Sequence, residues 1–242
     1  SQILAARALR LKTVTLMDYE HQPASHLAFR LASRIIVPAT FPATDLKRLG
    51  AGVGKIRRYH GTKEDVYLAN FQPDPAFTAR LCELGVNPDN VLVLMRPPAV
   101  DALYHRFQNT LFDEALERLS ADENVRIVLL PRNESQRAEY SGRARVIVPR
   151  QPLSGPDLVA ASDLVISAGG TINREAAALG VPAASIYAGK WAAVDEQLVS
   201  EGRLHRISNN TDLEGLVVKK KGTASPRRSH AVINEIVNFI FE

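Results

Sequence analysis

The sequence predicts an α/β protein whose parallel β-sheets are covered by helices. Short apolar segments of strand length alternate with longer segments of helical periodicity along the chain, as expected for parallel strands joined by crossover helices. Residues 163–187 show this order in one continuous unit: a strand, a Gly-Gly turn, a helix, a Gly-Val-Pro turn and a second strand.

The first part of the chain ends where this alternation is interrupted. Its predicted strands are residues 13–17, 34–37 and 55–59, and its predicted helices are residues 3–11, 25–33 and 44–49. Two prolines in residues 71–75 then break the pattern. A helix at residues 76–84 and a turn at residues 85–90 lead into a second series. We therefore predict a domain boundary near residue 85, with a first domain over residues 1–85.

The second series continues to the end of the chain and predicts a second domain over residues 86–242. Its predicted strands are residues 91–95, 125–130, 145–148, 163–167 and 183–187, and its predicted helices are residues 110–120, 134–140, 155–161, 172–179, 194–201 and 229–241.

The beginning of the chain departs from the usual start of a Rossmann-like domain. Such a domain normally opens with a strand and a Gly-rich turn, whereas this chain opens with Ser1 and a predicted amphipathic helix. We therefore expect the N-terminal domain to be incomplete in this sequence.

Composition is that of a soluble cytoplasmic protein. Hydrophobic residues make up 45% and charged residues 23% of the chain, which are ordinary globular values. No apolar run approaches the roughly 20 residues that span a bilayer. The single cysteine, Cys82, excludes an intrachain disulfide and a Cys-based zinc site.

The net charge of +4 raises the question of a nucleic-acid partner. The basic residues are dispersed, apart from residues 219–221 followed by Arg227 and Arg228. No aromatic residues are interleaved with this cluster, so a solvated loop is the preferred interpretation and no nucleic-acid partner is expected. Contact with phosphates or with an anionic membrane surface stays open.

The segment after the strand at residues 163–167 is typical of a phosphate-binding turn. Gly169 and Gly170 allow a sharp turn and close approach of a ligand, and Thr171 is placed as the N-cap of the following helix. Free N–H groups and the dipole at a helix N-terminus attract anions, most often phosphate. Glu175, about one turn further, is placed to accept both hydroxyls of a ribose. The alternative is a tight connection in which Glu175 only supports the helix dipole.

This motif is neither of the two familiar nucleotide fingerprints. A P-loop has Gly-Lys-Ser/Thr after its glycines, whereas Ile172 follows Thr171 here. The dinucleotide pattern G-x-G-x-x-G and the hydrolase pattern G-x-S-x-G are also absent.

Two arginines follow predicted strands of the second domain. Arg96 comes directly after one strand, and Arg132 follows another through Pro131. Ligands of parallel sheets bind at the carboxyl ends of the strands, so these arginines are candidates for a diphosphate clamp. Separate surface ion pairs are the alternative.

Acid and base candidates follow predicted strands of the first domain. Glu20 and His21 lie in the sequence 18-DYEH-21, and both residue types serve in general acid/base catalysis. A helix-capping turn and a metal site are the alternatives. Further candidates for ligand contact follow the last strand of this domain: His60, Lys63 and Glu64. Packing at the hinge between the domains is the alternative interpretation.

The segment 169-GGTINREAA-177 followed by L-G-x-P resembles the donor-binding segment of GT-B glycosyltransferases and of UDP-N-acetylglucosamine 2-epimerases. A wider pattern resembles a family of unknown function from archaea and bacteria whose members are described as predicted glycosyltransferases. The matching segments are 18-DYEH-21, 59-YHGTKEDVYL-68, 95-MRP-97, 104-YH-105, 169-GGTINREAA-177, 194-VDEQL-198 and 202-GRL-204.

This resemblance implies a GT-B-like fold of two Rossmann-like domains, with the acceptor side in the first and the nucleotide sugar in the second. In GT-B proteins the last helix, here residues 229–241, commonly crosses back onto the first domain. The glycines would hold the donor diphosphate and Glu175 the ribose. Asp195 and Gln197 resemble the residues that bind the donor sugar, although decoration of a helix N-terminus is an alternative.

The implied activity is glycosyl transfer from a nucleotide-diphosphate sugar, with UDP as the expected nucleotide, to an unknown acceptor. Glu20 or His21 would activate the acceptor hydroxyl. No cofactor is expected, since the nucleotide sugar is a substrate and the sequence does not require a divalent metal. A 2-epimerase-like enzyme, which needs no acceptor, and a non-catalytic nucleotide-sugar-binding protein are the alternatives.

Overall fold

A computed structural model describes residues 2–99, 110–227 and 229–242 of the chain, which divides into two compact units. Unit 1 comprises Ser1–Ala69, Lys190–Gln197 and Arg228–Glu242. Unit 2 comprises Asn70–Gly189 and Leu198–Arg227.

The elements of the chain up to residue 69 all belong to unit 1. In chain order they are α1 Gln2–Ala8, β1 Val14–Leu16, α2 Ser25–Leu31, β2 Arg34–Pro38, α3 Ala43–Arg48, a 3₁₀ turn Val53–Lys55, β3 Ile56–Tyr59 and α4 Lys63–Tyr67.

The elements from residue 70 onward belong mainly to unit 2. They are α5 Phe77–Glu83, β4 Val91–Arg96, α6 Leu111–Ala121, β5 Val125–Leu129, α7 Glu134–Tyr140, β6 Val146–Ile147, α8 Gly155–Ala161, β7 Leu164–Ser167, α9 Gly170–Leu179, β8 Ala183–Ser185, α10 Ala193–Ser200, β9 His205–Arg206, α11 Asn210–Glu214 and α12 His230–Phe241. The first part of α10 and all of α12 belong to unit 1.

Unit 1 is built on a parallel three-stranded sheet of order β1-β2-β3. Its central strand β2 is apolar on both faces because successive side chains point to opposite sides of a sheet. Ile35 and Val37 are buried in a cluster with residues of α2 and α3, whereas Ile36 is buried in a second cluster with residues of α12. The last helix is therefore part of the core of unit 1.

Unit 2 is built on a parallel six-stranded sheet of order β6-β5-β4-β7-β8-β9. Every residue of β7 is buried, as expected for a central strand covered by helices on both faces. The register pairs Arg96 at the end of β4 with Ser167 at the end of β7. The loops that follow β5, β4 and β7 therefore leave neighbouring strands at the same edge of the sheet.

The predicted α/β class with parallel sheets is confirmed. Short elements were missed, although two of them carry local signals. Thr62 and Asp65 form a reciprocal capping box that starts α4, and the side chain of Asn209 accepts a hydrogen bond from the backbone of Asp212 at the start of α11.

The grouping of elements differs from the predicted division near residue 85. Helix α5 packs against α8 and belongs to unit 2, whereas the sequence pattern predicted residues 76–84 in the first domain. Its residues Phe77 and Leu81 are buried, and its packing against α8 groups it with the elements that follow the predicted boundary.

Within the part of the chain that the structure describes, no helix is long and apolar enough to cross a membrane.

Candidate functional site

The carboxyl edge of the six-stranded sheet brings together the ends of β4, β5 and β7. Arg96 is the last residue of β4, and its carbonyl accepts a hydrogen bond from the backbone N–H of Ala168, just beyond β7. The Nε atom of Arg96 is buried and has no hydrogen-bond partner among the described residues. A buried donor without an acceptor is uncommon in folded proteins, so this atom marks the edge as a place to look for a ligand.

Helix α9 starts at this edge, earlier than the sequence predicted. Its N-cap is Gly169, in an extended conformation with φ −161°, so the prediction that Thr171 is the N-cap is wrong. The hydroxyl of Ser167 donates to the carbonyl of Gly169 at 2.8 Å and accepts from its N–H at 3.2 Å. This local bonding ends β7 and lets the helix begin at Gly170. Thr171 then lies in the first turn with an exposed side chain.

The two glycines are explained by space, since neither has positive φ. A Cβ atom on Gly169 would lie 3.0 Å from Nη2 of Arg132, and one on Gly170 would lie 3.1 Å from Nη2 of Arg174. Two guanidinium groups therefore pack against successive glycines at the start of α9.

The position of Arg132 is fixed by the loop after the neighbouring strand β4. Its Nε atom donates to the carbonyl of Pro97 at 2.8 Å, and its backbone N–H donates to Oε1 of Gln136 at 2.9 Å. The amide of Gln136 donates in turn to the carbonyl of Pro98 at 2.8 Å. The prolines after Arg96 thus supply backbone acceptors that aim Arg132 at Gly169.

Arg174 was missed by the sequence analysis. Only 5% of this residue is exposed, and its guanidinium lies over Gly170, one turn back along α9. Long side chains in helices point back toward the N-terminus, so the four-residue spacing from Gly170 is a local signal that could have identified it.

Electrostatics at this end of α9 favour an anion. The N-terminus of a helix carries about half a positive charge, and the first turn of α9 contains no acidic residue. Arg132 and Arg174 add two guanidinium groups against that turn. A phosphate placed here would interact favourably with the helix dipole, the free N–H groups and both arginines.

Two further polar residues of α9 lie near this turn. Asn173 is fully buried, and its amide donates to the carbonyl of Gly169 at 3.1 Å. Its Oδ1 atom accepts no hydrogen bond within the described ranges. Glu175, the predicted ribose ligand, lies in the second turn and is partly exposed.

The opposite end of α9 is closed by the chain itself. Gly180 adopts the left-handed conformation with φ +72°, and a Cβ atom there would lie 2.5 Å from the backbone of Ser225. The carbonyl of Ala178 accepts the backbone N–H of Arg227 at 2.8 Å, and that of Ala177 accepts from Nη1 of Arg203 at 3.2 Å. This end of the helix is therefore satisfied internally.

In unit 1, the predicted acid/base residues contact the segment before and at the start of α10. We call residues 19–21 and 190–193 the clasp. Three interactions hold it together: the Tyr19 hydroxyl donates to the Lys190 carbonyl at 3.2 Å, the Ala193 N–H donates to Oε1 of Glu20 at 2.7 Å, and Nε2 of His21 lies 3.1 Å from the Trp191 carbonyl oxygen.

Glu20 is the buried centre of the clasp. It is 3% exposed, and its Oε2 atom has no hydrogen-bond partner among the described residues. The bonded oxygen, Oε1, lies at the N-terminus of α10, where the negative charge of a carboxylate interacts favourably with the helix dipole. Asp195 is buried in the first turn of the same helix, and Gln197 is partly exposed.

The remaining candidates of unit 1 form ion pairs. Lys63 is paired with Asp18, and its Nζ atom lies 3.2 Å from Oε1 of Glu64. His60 donates its backbone N–H to Oε2 of Glu235 at 2.7 Å, and this bond lowers the pKa of the Glu235 carboxyl group.

Residues 219–221 lie outside helices and strands with Lys219 and Lys220 exposed, which agrees with the predicted solvated loop, and two of these lysines also bond to the protein. Lys220 donates to the carbonyls of Pro88 and Asn90 at 3.0 and 2.9 Å. Lys221 donates to the carbonyls of Ala160 and Ser162, and burial lowers the pKa of its ammonium group. Their side chains are committed to backbone acceptors, which argues against a role in recruiting an anionic surface.

Two predicted positions in the loop after Arg96, Tyr104 and His105, lie outside the described residues, as does Arg228 of the basic cluster. Among the residues that are described, no group of three or more His, Cys, Asp or Glu side chains could hold a metal ion.

The structure groups the predicted site residues into two sets. Unit 2 contains the predicted phosphate and ribose ligands, which are Arg96, Arg132, Gly169, Gly170, Thr171 and Glu175. Unit 1 contains the predicted acid/base and sugar-binding residues, which are Glu20, His21, Asp195 and Gln197.

Solved structures of similar fold include two enzymes in complex with UDP-GlcNAc and a rhamnosyltransferase. The UDP-GlcNAc 2-epimerase of Methanocaldococcus jannaschii, in complex with UDP-GlcNAc and UDP, has a TM-score of 0.72 at 13% identity, over 99% of this chain and 71% of that chain. The enzyme of Neisseria meningitidis bound to UDP-GlcNAc has a TM-score of 0.72 at 13% identity, over 99% and 72%. The spinosyn rhamnosyltransferase has a TM-score of 0.55 at 14% identity, over 99% and 62%.

These similarities define the class: a GT-B-like α/β fold, shared with glycosyltransferases and UDP-GlcNAc 2-epimerases. The chain belongs to the DUF354 family of proteins of unknown function, whose sequence model matches residues 5–242. An uncharacterized protein of Methanocaldococcus jannaschii is 31% identical over 205 residues, which are 82% of this chain and 58% of that protein. The chain therefore spans less than two thirds of this relative's length. The resemblance found in the sequence is confirmed.

Proposed function

We propose that unit 2 binds the diphosphate of a nucleotide sugar at the N-terminus of α9, with UDP as the nucleotide. The observation that carries this proposal is the packing of the Arg132 guanidinium against Gly169, at a helix start whose first turn contains no acid. A diphosphate at this place would be held by backbone N–H groups, by the dipole and by charge-assisted hydrogen bonds.

The reaction we propose is glycosyl transfer to an acceptor. Breaking the bond between sugar and diphosphate leaves negative charge on the phosphate oxygens, and donors already in place stabilise that charge as it develops. Arg132 and Arg96 would serve this purpose, while Glu175 would bind the ribose. The assignment of Asp195 and Gln197 to the sugar rests on the resemblance and stays a prediction.

The predicted role of Glu20 and His21 as general bases also stays a prediction. Oε1 of Glu20 accepts the Ala193 N–H, and His21 lies against the Trp191 carbonyl. These contacts support a role in holding the start of α10.

A second candidate is 2-epimerisation of the sugar, in which UDP is eliminated from the sugar and added again. It is favoured by the TM-score of 0.72 with two UDP-GlcNAc 2-epimerases, against 0.55 with the rhamnosyltransferase. Both reactions use the same diphosphate site, so this comparison does not alter the binding proposal.

Binding is tested by calorimetry and thermal unfolding with UDP, UDP-GlcNAc and uridine. We expect UDP to stabilise the protein by about 2.7 kcal/mol at 100 times its Kd, and uridine to bind more weakly because it lacks phosphates. Arg132→Ala should weaken UDP binding about 10-fold or more. Arg126→Ala is the matched control, since Arg126 lies on β5, the strand that precedes Arg132, and its Nη1 donates to the carbonyls of Glu123 and Val125. If no nucleoside diphosphate or nucleotide sugar stabilises the protein, the proposal fails.

The reaction is tested by incubation with UDP-GlcNAc, with and without cell-derived acceptors. Release of UDP only when an acceptor is present supports transfer. A changed sugar without any acceptor supports epimerisation. Tight binding without turnover in either case contradicts both reactions and supports a binding protein.

A further inference from the structure

We propose that Arg174 is a second phosphate-binding residue of this site, so that Arg132 and Arg174 each hold one phosphoryl group of a diphosphate. This inference rests on the proposed function of the α9 N-terminus and extends it to a residue of the chain that the sequence analysis did not identify.

The first argument is position. Gly169 and Gly170 are consecutive, so their Cα atoms lie about 3.8 Å apart. Arg132 packs on the first glycine and Arg174 on the second, at 3.0 and 3.1 Å from the positions where their Cβ atoms would be. Two guanidinium groups lie against neighbouring backbone positions. They therefore suit a ligand with two linked anionic groups, such as a diphosphate, better than they suit a ligand with a single carboxylate.

The second argument is the energy of a cation at this position. Arg174 is 5% exposed, so its guanidinium would bind a ligand largely shielded from water, where charge-assisted hydrogen bonds are stronger. Its guanidinium lies at the positive end of α9, where the helix dipole disfavours a cation. Residues that break such local rules are concentrated at functional sites. An anionic ligand here would interact favourably both with this guanidinium group and with the helix dipole.

The third argument is independent of the helix N-terminus. The Nε atom of Arg96 is a buried donor without a hydrogen-bond partner in the described ranges, and the fully buried Asn173 has an Oδ1 atom in the same situation. Arg96 ends the strand next to β7, and Asn173 bonds the carbonyl of Gly169. The Nε donor of Arg96 suits a phosphate oxygen, and the Oδ1 acceptor of Asn173 suits a hydroxyl group. A nucleotide sugar contains both kinds of group.

The test compares the affinities of UDP, UMP and uridine for the wild-type protein, Arg174→Gln, Arg174→Lys and the control Arg126→Gln. We expect Arg174→Gln to lower the affinity for UDP by about 10- to 100-fold and to leave that for uridine unchanged. Arg174→Lys should retain part of the UDP affinity, because lysine keeps the charge but loses the planar fork of donors.

The outcomes separate this inference from the proposed function. If the wild type and the control bind UDP and Arg174→Gln keeps the wild-type ratio of UDP to uridine affinity, the inference about Arg174 is wrong and the diphosphate site stands. If Arg174→Gln fails to fold, Arg174→Lys decides the question, and an unchanged UDP affinity in that variant overturns the inference. If the wild type binds neither UDP nor UMP, the proposed function itself fails.

Discussion

Arginines contact α9 at both of its ends. The helix dipole stabilises a positive charge at the C-terminal end and destabilises one at the N-terminal end. At the C-terminal end, Arg203 and the backbone of Arg227 bond free carbonyls of the last turn, and a cation there is stabilised by the negative end of the dipole. At the N-terminal end, Arg132 and Arg174 pack where the dipole disfavours cations.

The glycines at the two ends differ in the same way. Gly180 is required by its positive φ and by the backbone of Ser225, whereas Gly169 and Gly170 have no positive φ and meet only guanidinium groups. One end of the helix is thus completed by the backbone of the chain, whereas guanidinium groups lie against the other end. This difference supports a ligand site at the N-terminal end alone, and three sets of substitutions follow from it.

The largest effect is expected from alanine at the glycines. Gly180→Ala should lower the free energy of unfolding by about 1–3 kcal/mol, because alanine is strained at positive φ and its Cβ would meet the Ser225 backbone. Gly169→Ala should change stability by less than about 1 kcal/mol, since the end of the Arg132 side chain can move, yet it should weaken UDP binding. Urea unfolding and calorimetry measure both quantities. Equal losses of stability in the two variants would contradict the contrast.

A smaller effect is expected at α10, whose N-terminus is already occupied by a side chain of the protein. Glu20→Ala should lower the free energy of unfolding by about 1 kcal/mol, the usual cost of losing a helix cap, and should speed amide exchange at the start of α10. Glu20→Gln keeps an acceptor oxygen for the Ala193 N–H and should lose less. Glu196→Gln, at an exposed acid of the same turn, is the control. If amide hydrogen exchange at residues 193–196 is the same in Glu20→Ala as in the wild type, the contact of Glu20 with Ala193 does not hold the first turn of α10.

The smallest effect is expected from removing a cation at the C-terminal end of α9. Arg203→Gln should lower the free energy of unfolding by about 0.3–1 kcal/mol, because Nη1 of Arg203 bonds the carbonyls of Ala177 and Ser225. Arg174→Gln removes a cation from the positive end of the dipole instead, so it should lower the free energy of unfolding less than Arg203→Gln does. Thermal unfolding of both variants without ligand provides the measurement, and a greater loss in Arg174→Gln would show that Arg174 serves the fold.

The sequence predicted the parts of this molecule whose signals are local. Apolar runs such as β4 and β7 could be identified because strands buried on both faces contain few polar residues. The glycine pair marked the helix start to within two residues. The position of Arg96 and Arg132 at the carboxyl edge of the sheet was predictable because both follow strand-like apolar runs.

The tertiary structure decided the features that depend on contacts between distant residues. No local pattern could show that Glu20 would occupy the N-terminus of α10, since it bonds a residue 173 positions away. The grouping of α5 with α8 and of α12 with β2 and β3 likewise follows from packing. The sequence by itself determined the fold class and the glycine turn, because periodicity and backbone freedom are properties of neighbouring residues. Only the folded chain decided which cations lie against that turn, because the loop after β4 fixes Arg132, and burial among surrounding elements fixes the position of Arg174.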